Sequence, residues 1–216
     1  MRYASLVAVA LLSACDSKPK DIAPEAPVIA PAVAGHAALG QPAPDFTLSD
    51  LNGKPVRLSS FRGKIVVLEW FNPGCPFVRA SHTSGSLVKA AQKQAAQGVV
   101  WLAINSGGPG KQGHGIDTNR EGAQRFALQH PILIDENGSV GRVYGAERTP
   151  HMYVIDQQGM LRYEGAIDNS PDGEGKSPEG DRLIDFVDSA IQDLNSGRPV
   201  RTPKTAPYGC SVKYAS

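Results

Sequence analysis

The 216-residue chain contains only three cysteines, Cys15, Cys75 and Cys210. That is too few for a disulfide-stapled scaffold, and their spacing is not that of a zinc site. An excess of charge of one sign is also missing. The 22 Lys and Arg against 21 Asp and Glu leave a formal net charge of +1, and no Lys/Arg run breaks the balance. Nothing here attracts a phosphate backbone, so no nucleic-acid partner is expected. The apolar run Leu6–Leu12 is too short to span a bilayer stably. The Gly-rich stretch from Gly107 to Gly115, which holds Lys111 and His114, lacks the GxxxxGK[ST] spacing of a phosphate loop and is expected to be a flexible rim. What remains, with 41% hydrophobic residues, suits one globular domain with an ordinary core and some extra segments.

The chain divides by composition. Arg2 followed by Leu6–Leu12 is a charged start and a short apolar core, the pattern of an export signal. It ends in Leu12-Ser13-Ala14-Cys15, which resembles the bacterial lipoprotein processing box. That resemblance implies a signal over residues 1–15, cleavage before Cys15, lipidation of its sulfur and tethering to a membrane outside the cytoplasm. The expected location is periplasmic, and Asp16 resembles a signal for retention on the inner membrane. The alternative is a plain secretory signal with Cys15 near the cut. Residues 16–42 are rich in Pro and Ala and are expected to form a semi-extended tether. A folded domain is expected over 43–196, followed by a Pro-punctuated tail, 197–216, that carries Cys210.

Within the domain, Asp45 to Leu48 alternates as a strand, Asn52-Gly53 signals a hairpin, and Val56 to Leu58 returns. Ser59 or Ser60 caps a short turn ending at Gly63. Ile65 to Leu68 is a continuous, β-branched apolar run, expected to be a strand buried on both faces. A helix is expected from Cys75 to about Gln97, kinked where Ser81, Thr83, Ser84 and Gly85 weaken it. A second buried strand follows at Val99–Ile104. Then come a helix over Thr118–Gln129, a strand at Ile132–Asp135 and a short helix from Gly138 to Tyr144. Met152–Asp156 and Leu161–Gly165 form an antiparallel pair. Asn169–Gly180 is a polar loop expected in solvent, and Asp181–Leu194 has the spacing of an amphipathic closing helix. This order predicts an α/β fold, a mixed parallel and antiparallel sheet with helices on both faces.

Chemistry concentrates between Lys64 and His82. Asn72, Pro73 and Gly74 break the buried strand, Cys75 follows at the turn, and Pro76 pre-sets the first helical φ. A helix N-terminus offers partial positive charge and free N–H groups to an anionic sulfur, which places Cys75 to be a nucleophile. The bland alternative is a small buried apolar residue.

The run Val67-Leu68-Glu69-Trp70-Phe71-Asn72-Pro73-Gly74-Cys75-Pro76, with Thr149-Pro150 and Tyr153-Val154-Ile155-Asp156 downstream, resembles the thioredoxin-like superfamily. Within it the chain resembles the redoxin and peroxiredoxin-like branch (alkyl hydroperoxide reductase and thiol-specific antioxidant proteins). The likeness covers about Gln41 to Leu194 and implies a three-layer thioredoxin-like fold. It implies that Cys75 is the attacking cysteine, while Val78 stands where the usual Cys-x-x-Cys motif has its second thiol. It implies that Glu69 is the buried acid that handles protons. A carboxyl inside an apolar strand is expected to have a raised pKa; the alternative is a Glu that finds a partner at the strand end. Pro150 matches the cis-proline beside the attacking cysteine, which would present the Thr149 backbone to a substrate peptide; from residue chemistry alone Pro150 merely begins a strand. Thr149, Asn72, Pro76 and Trp70 are the candidate substrate contacts.

The chain departs from the peroxiredoxin pattern, having Leu68 and Asn72 where a Pro and a Thr or Ser belong. The peroxide-polarising Arg falls at Pro150, leaving Arg148 or Arg79 as substitutes. Cys210 has three open roles: a resolving thiol for oxidised Cys75, a static disulfide pinning the tail, or an uninvolved thiol. His82 and His151 are ordinary surface histidines or, with Cys75, the ligands of a soft copper site, and His36, His114 and His130 are expected in tether, loop and helix end. The leading expectation is an exported, membrane-tethered thiol-disulfide oxidoreductase acting on protein or small-molecule thiols and disulfides, without a cofactor. The alternatives are a thiol peroxidase acting on peroxides and a non-catalytic copper- or protein-binding thioredoxin fold.

Overall fold

A computed structural model describes residue 1 and residues 35–176 and 182–216. The expected signal, its lipidation site Cys15 and most of the tether lie outside the described residues. Residues 37–42 lie within the expected tether, yet they are bonded to the domain. Ala37 N–H donates to Val143 O at 2.9 Å, Gly40 N–H to Leu161 O at 2.8 Å, and Pro42 bridges Met160. The domain therefore begins before Ala43.

Seven strands make the sheet: β1 (Thr47–Asp50), β2 (Pro55–Arg57), β3 (Val66–Trp70), β4 (Val100–Asn105), β5 (Ile132–Ile134), β7 (His151–Ile155) and β8 (Leu161–Gly165), in the order β2-β1-β5-β4-β3-β7-β8. The pairs β3–β4 and β4–β5 are parallel, and every other pair is antiparallel. β6 (Arg148–Thr149) pairs instead with β9 (Cys210–Ser211) in a small second sheet. The expected mixed sheet is present, and β3 is buried along its whole length at its centre.

Helices cover both faces. On one, α5 (Phe186–Asn195) sends Val187, Ala190 and Ile191 against Val67, Met152 and Val154. On the other, Val140 and Tyr144 of α4 (Ser139–Tyr144) pack on Leu68 and Trp70. α1 (Pro76–Thr83) and α3 (Ile116–Arg125) close a smaller cluster around Phe71, Val78 and Phe126. The alternation of apolar residues along β3 decides which side chain meets which layer, since neighbours on a strand face opposite ways.

Three expectations change. The long helix after Cys75 is two helices, α1 and α2 (Ala90–Ala95), separated by a break with Lys89 at φ 57°. Gly85 sits in that break against the Gly173 carbonyl, where a Cβ would collide. The closing helix begins at Phe186 because Asp185 caps it, accepting from Asp188 N–H at 2.8 Å. The loop after Asn169 is not all solvent: Ser170 is buried and donates to the buried Asp168 carboxylate at 2.6 Å.

Candidate active site

Cys75 is the residue immediately before α1, in an extended conformation, and Pro76 supplies the first helical turn. Its N–H donates to Asn72 O at 3.0 Å, so the Asn72–Cys75 segment is a closed turn between β3 and α1. The Asn72 side chain is buried and holds the turn from inside. Its Oδ1 accepts from Gly74 N–H at 2.9 Å, and its Nδ2 donates to Gln112 O at 3.2 Å. Gln112 answers by donating to Gly74 O at 3.1 Å.

The Gly-rich loop is therefore a bracket for the cysteine turn, not a loose rim. Asn105 fastens it from β4, donating to Gly113 O at 2.9 Å and to Asn119 Oδ1 at 2.8 Å while accepting from Gly107 N–H at 2.7 Å. Gly113, at φ 81°, approaches Asn72 so closely that a Cβ would overlap its Oδ1; here glycine is needed both for the dihedral and for the contact.

Gly74 and Pro76 are exposed, but Cys75 itself is fully buried. Two groups cover its sulfur. The thiol donates to Thr149 O at 3.0 Å, and Cys210 Sγ stands 2.7 Å away. The Thr149–Pro150 peptide bond is cis. Pairing of Thr149 with Cys210 across β6 and β9 brings a residue 135 positions distant onto Cys75. Burial first, then the adjacent Cys75 sulfur, pushes the Cys210 thiol up to about 11. The raised value favours the protonated form of Cys210 in this arrangement.

Beneath the turn lies a buried polar cluster. Glu69 is fully buried, with its Oε1 2.7 Å from His82 Nε2 on α1 and its Oε2 accepting from Trp101 Nε1–H at 2.9 Å. Burial pushes the Glu69 carboxyl up, but the charge and hydrogen bond of His82, then the His130 charge and the Trp101 indole, outweigh it, and the carboxyl ends below its ordinary value. The raised pKa expected from an apolar strand is thus corrected. His130 is itself held down to about 4, chiefly by burial; at Glu69 the effects of His82 come before that of His130. His82 stacks on Phe126, with ring centroids 5.5 Å apart. His82 is thus buried rather than the surface residue expected, and His130, expected at a helix end, lies five residues beyond the end of α3.

Other candidates settle differently. Trp70 does not line the site: it is fully buried, donates its indole N–H to Ser106 Oγ at 3.0 Å and packs on Tyr144 and Tyr153. His151 is buried under Tyr153, whose hydroxyl lies 3.2 Å from His151 Nδ1, and burial, then Lys204 and Arg148, lowers it to about 3. Among the described residues no group of three His, Cys, Asp or Glu side chains is placed to hold a metal ion. Arg148 donates to Glu147 O at 3.3 Å, and Arg79 is exposed on α1; neither is hydrogen-bonded to the Cys75 sulfur.

Sequence reasoning missed the His82–Glu69–Trp101 connection and the seating of the tail. The first had a signal. Val78 and His82 lie four apart on one helix face, which faces inward if Val78 does.

A family model described as the AhpC/TSA family matches residues 39–164, the segment that builds β1 to β8 and holds Cys75. This chain belongs to the AhpC/TSA family. It is a thiol-dependent oxidoreductase with the thioredoxin-like fold. This AhpC/TSA chain is 39% identical over 127 residues to the thiol-disulfide oxidoreductase ResA of Geobacillus thermodenitrificans, covering 58% of this chain and 67% of that protein. It is 30% identical over 142 residues to the chloroplastic peroxiredoxin Q of Triticum aestivum, covering 61% of this chain and 60% of that one. Among solved structures, a hypothetical protein from Sinorhizobium meliloti 1021 superposes with a TM-score of 0.71 at 26% identity, covering 84% of this chain and 97% of the other. That span is wider than the family segment alone.

Proposed function

We propose that the chain is an exported thiol-disulfide oxidoreductase in which Cys75 attacks and Cys210 resolves. The observation that carries this reading is the 2.7 Å approach of the two sulfurs at a helix N-terminus, with the similarity to a thiol-disulfide oxidoreductase behind it. The Cys75 thiolate attacks one sulfur of a substrate disulfide. A Cys75–substrate disulfide forms, the substrate S–S bond breaks, and the other sulfur leaves as a thiolate that takes up a proton. Cys210 gives up its proton and attacks the Cys75 sulfur, forming the Cys75–Cys210 disulfide and releasing the second substrate thiol. Two electrons and two protons pass to the substrate, and an external dithiol restores the pair. Glu69, whose carboxyl is held below its ordinary value and so is not tuned for general-acid work at neutral pH, serves to anchor α1 through His82, and Thr149 presents its backbone beside Cys75. Asn72 and Pro76 act by shaping the turn.

Residues 1–15 support export, and Cys15 supports a lipid anchor with residues 16–34 as the spacer to the domain; the substrate disulfides would then be those of an extracytoplasmic compartment.

A peroxide substrate is the second reading, favoured by the similarity to a peroxiredoxin; Cys75 would become a sulfenic acid that Cys210 condenses with, releasing water. The bonding of Arg148 to Glu147 O and the exposure of Arg79 favour the disulfide reading. A competition experiment separates them. Reduced protein is offered glutathione disulfide and hydrogen peroxide at equal concentration, and the loss of thiols is timed for each. Faster loss to the disulfide is expected. Loss to peroxide faster by tenfold or more would replace the first reading with the second.

A further inference from the structure

We propose that the C-terminal residues Pro207–Ser216 are a displaceable strap that fills the chain's own substrate edge, so that Cys75 meets an external disulfide only when the strap lifts. The inference rests on the reading of Cys75 as the attacking thiol and adds a gate to it. Cys75 has no exposed surface, and what covers its sulfur from outside is Cys210 of the strap. The backbone edge of Arg148–Thr149, the edge beside Cys75 with which an extended substrate segment would pair, is taken by Cys210–Ser211 in antiparallel register.

The strap lies in a bed fitted to it. Val212 N–H donates to Glu147 O at 3.0 Å, Gly108 N–H donates to Lys213 O at 2.8 Å, and the Tyr214 hydroxyl donates to Ala146 O at 2.7 Å. Arg142 lies 4.7 Å over the Tyr214 ring and donates to Ala215 O at 3.0 Å. Glycines clear the floor: a Cβ at Gly108 would meet Ala215, and one at Gly138 or Gly141 would meet Tyr214. At the other end Gly209, with φ 108°, passes over Thr149, where a Cβ would collide with the Thr149 carbonyl oxygen.

The strap's root is separate. Thr205 N–H donates to Glu164 O at 3.1 Å, and Lys204 pairs with Glu164 at 2.5 Å. Residues 203–205 thus extend the β8 edge while Ala206-Pro207 links them to the covering segment. Its contacts with the domain are edge hydrogen bonds, the rings of Tyr214 and of Tyr208 (which donates to Asp168 Oδ1 at 3.0 Å and lies beside Phe77), and the partly buried Val212, a limited set of the kind that opens locally without global unfolding. The rate at which Cys75 reacts is then scaled by the fraction of molecules with the strap lifted.

The test uses the full chain carrying Cys210→Ser, so that only Cys75 reports, alone and combined with Gly209→Ala or with Tyr214→Ala. These two changes loosen opposite ends of the strap; Gly209→Ala also presses on the Thr149 carbonyl that accepts from Cys75, so Tyr214→Ala, whose partner is Ala146 O, is the deciding variant. Iodoacetamide alkylation of Cys75 and amide exchange at Val212 are measured together. Both rates are expected to rise, by about tenfold or more, in each double variant. An alkylation rate that stays unchanged in both, whether or not Val212 exchange accelerates, overturns the gate. Glutathione disulfide is offered to the same proteins in parallel. Equal, rapid exchange in all of them would remove the gate and leave the oxidoreductase reading standing. Faster alkylation with no glutathione transfer in any of them would keep the gate and sink that reading.

Discussion

Two segments bring sulfur to the same point, and they are held in different ways. Cys75 sits at the end of a fully buried central strand, in a turn braced by Asn72 from within and by Gln112 from the side, above the Glu69–His82 pair. Cys210 sits on a two-residue strand paired along one edge. The first position is fixed by core packing and satisfied buried polar groups, the second by edge hydrogen bonds and partial packing on the cluster around Phe71 and Val78. Under the proposed mechanism the attacking sulfur is the one held by the core, and the resolving sulfur is on the segment proposed to lift. A resolving thiol has to give way to a substrate and then return, which a core position would forbid.

The largest effect should come from the sulfurs themselves. Cys75→Ser is expected to lower disulfide reduction by about 10³-fold or more, as loss of a nucleophile does, measured as turnover of glutathione disulfide with an external dithiol. Cys210→Ser should keep the first attack and stall afterwards, so the two changes fail at different steps. Next is the scaffold. Glu69→Ala leaves His82 without its buried partner and should destabilise the fold by about 3–5 kcal/mol, measured by urea unfolding. On the strap side, Tyr214→Phe removes one hydrogen bond and should cost about 1 kcal/mol or less. Equal losses at both sites would erase the contrast between a fixed and a movable sulfur.

The smallest effect is in acid. The Glu69 carboxyl lies below its ordinary value of 4.5 in the folded chain. A carboxyl depressed on folding contributes stability that is present above the unfolded value and lost as pH falls through the folded one. Unfolding free energy should therefore decline below pH 4.5, and Glu69→Gln should flatten that decline. A decline of equal slope in the variant would show that Glu69 is not the responsible group.

The sheet was legible where the sequence carried local signals: the apolar run of β3, the Asn52-Gly53 hairpin, and the Met152–Gly165 pair all appear, with ends moved by a residue or two. The helix breaks were less so, because Gly85 gives way to Gly173, a contact between residues far apart in sequence. The seat of Cys75 before a helix was legible from the turn chemistry, and the cis bond at Pro150 only from the resemblance. Glu69 was found, but its pKa was misjudged, since the donors that reverse the effect of burial come from α1 and β4. Trp70 looked like a site residue by adjacency to the cysteine turn, yet strand alternation sends it to the opposite layer. Cys210 could be offered only as one of three options. Nothing local in Tyr208-Gly209-Cys210 states that Thr149 lies under it, and its role depends on that long-range pairing.

Cys75 and Cys210 are proposed to act as a pair, and trapped intact mass tests that directly. The reduced chain is challenged with glutathione disulfide and then alkylated, as wild type and as Cys210→Ser. Loss of two hydrogens is expected in the wild type, and a single glutathione adduct on Cys75 in the variant. An adduct that persists on Cys75 in the wild type, or a Cys75 that takes no glutathione in either protein, would contradict the pairing.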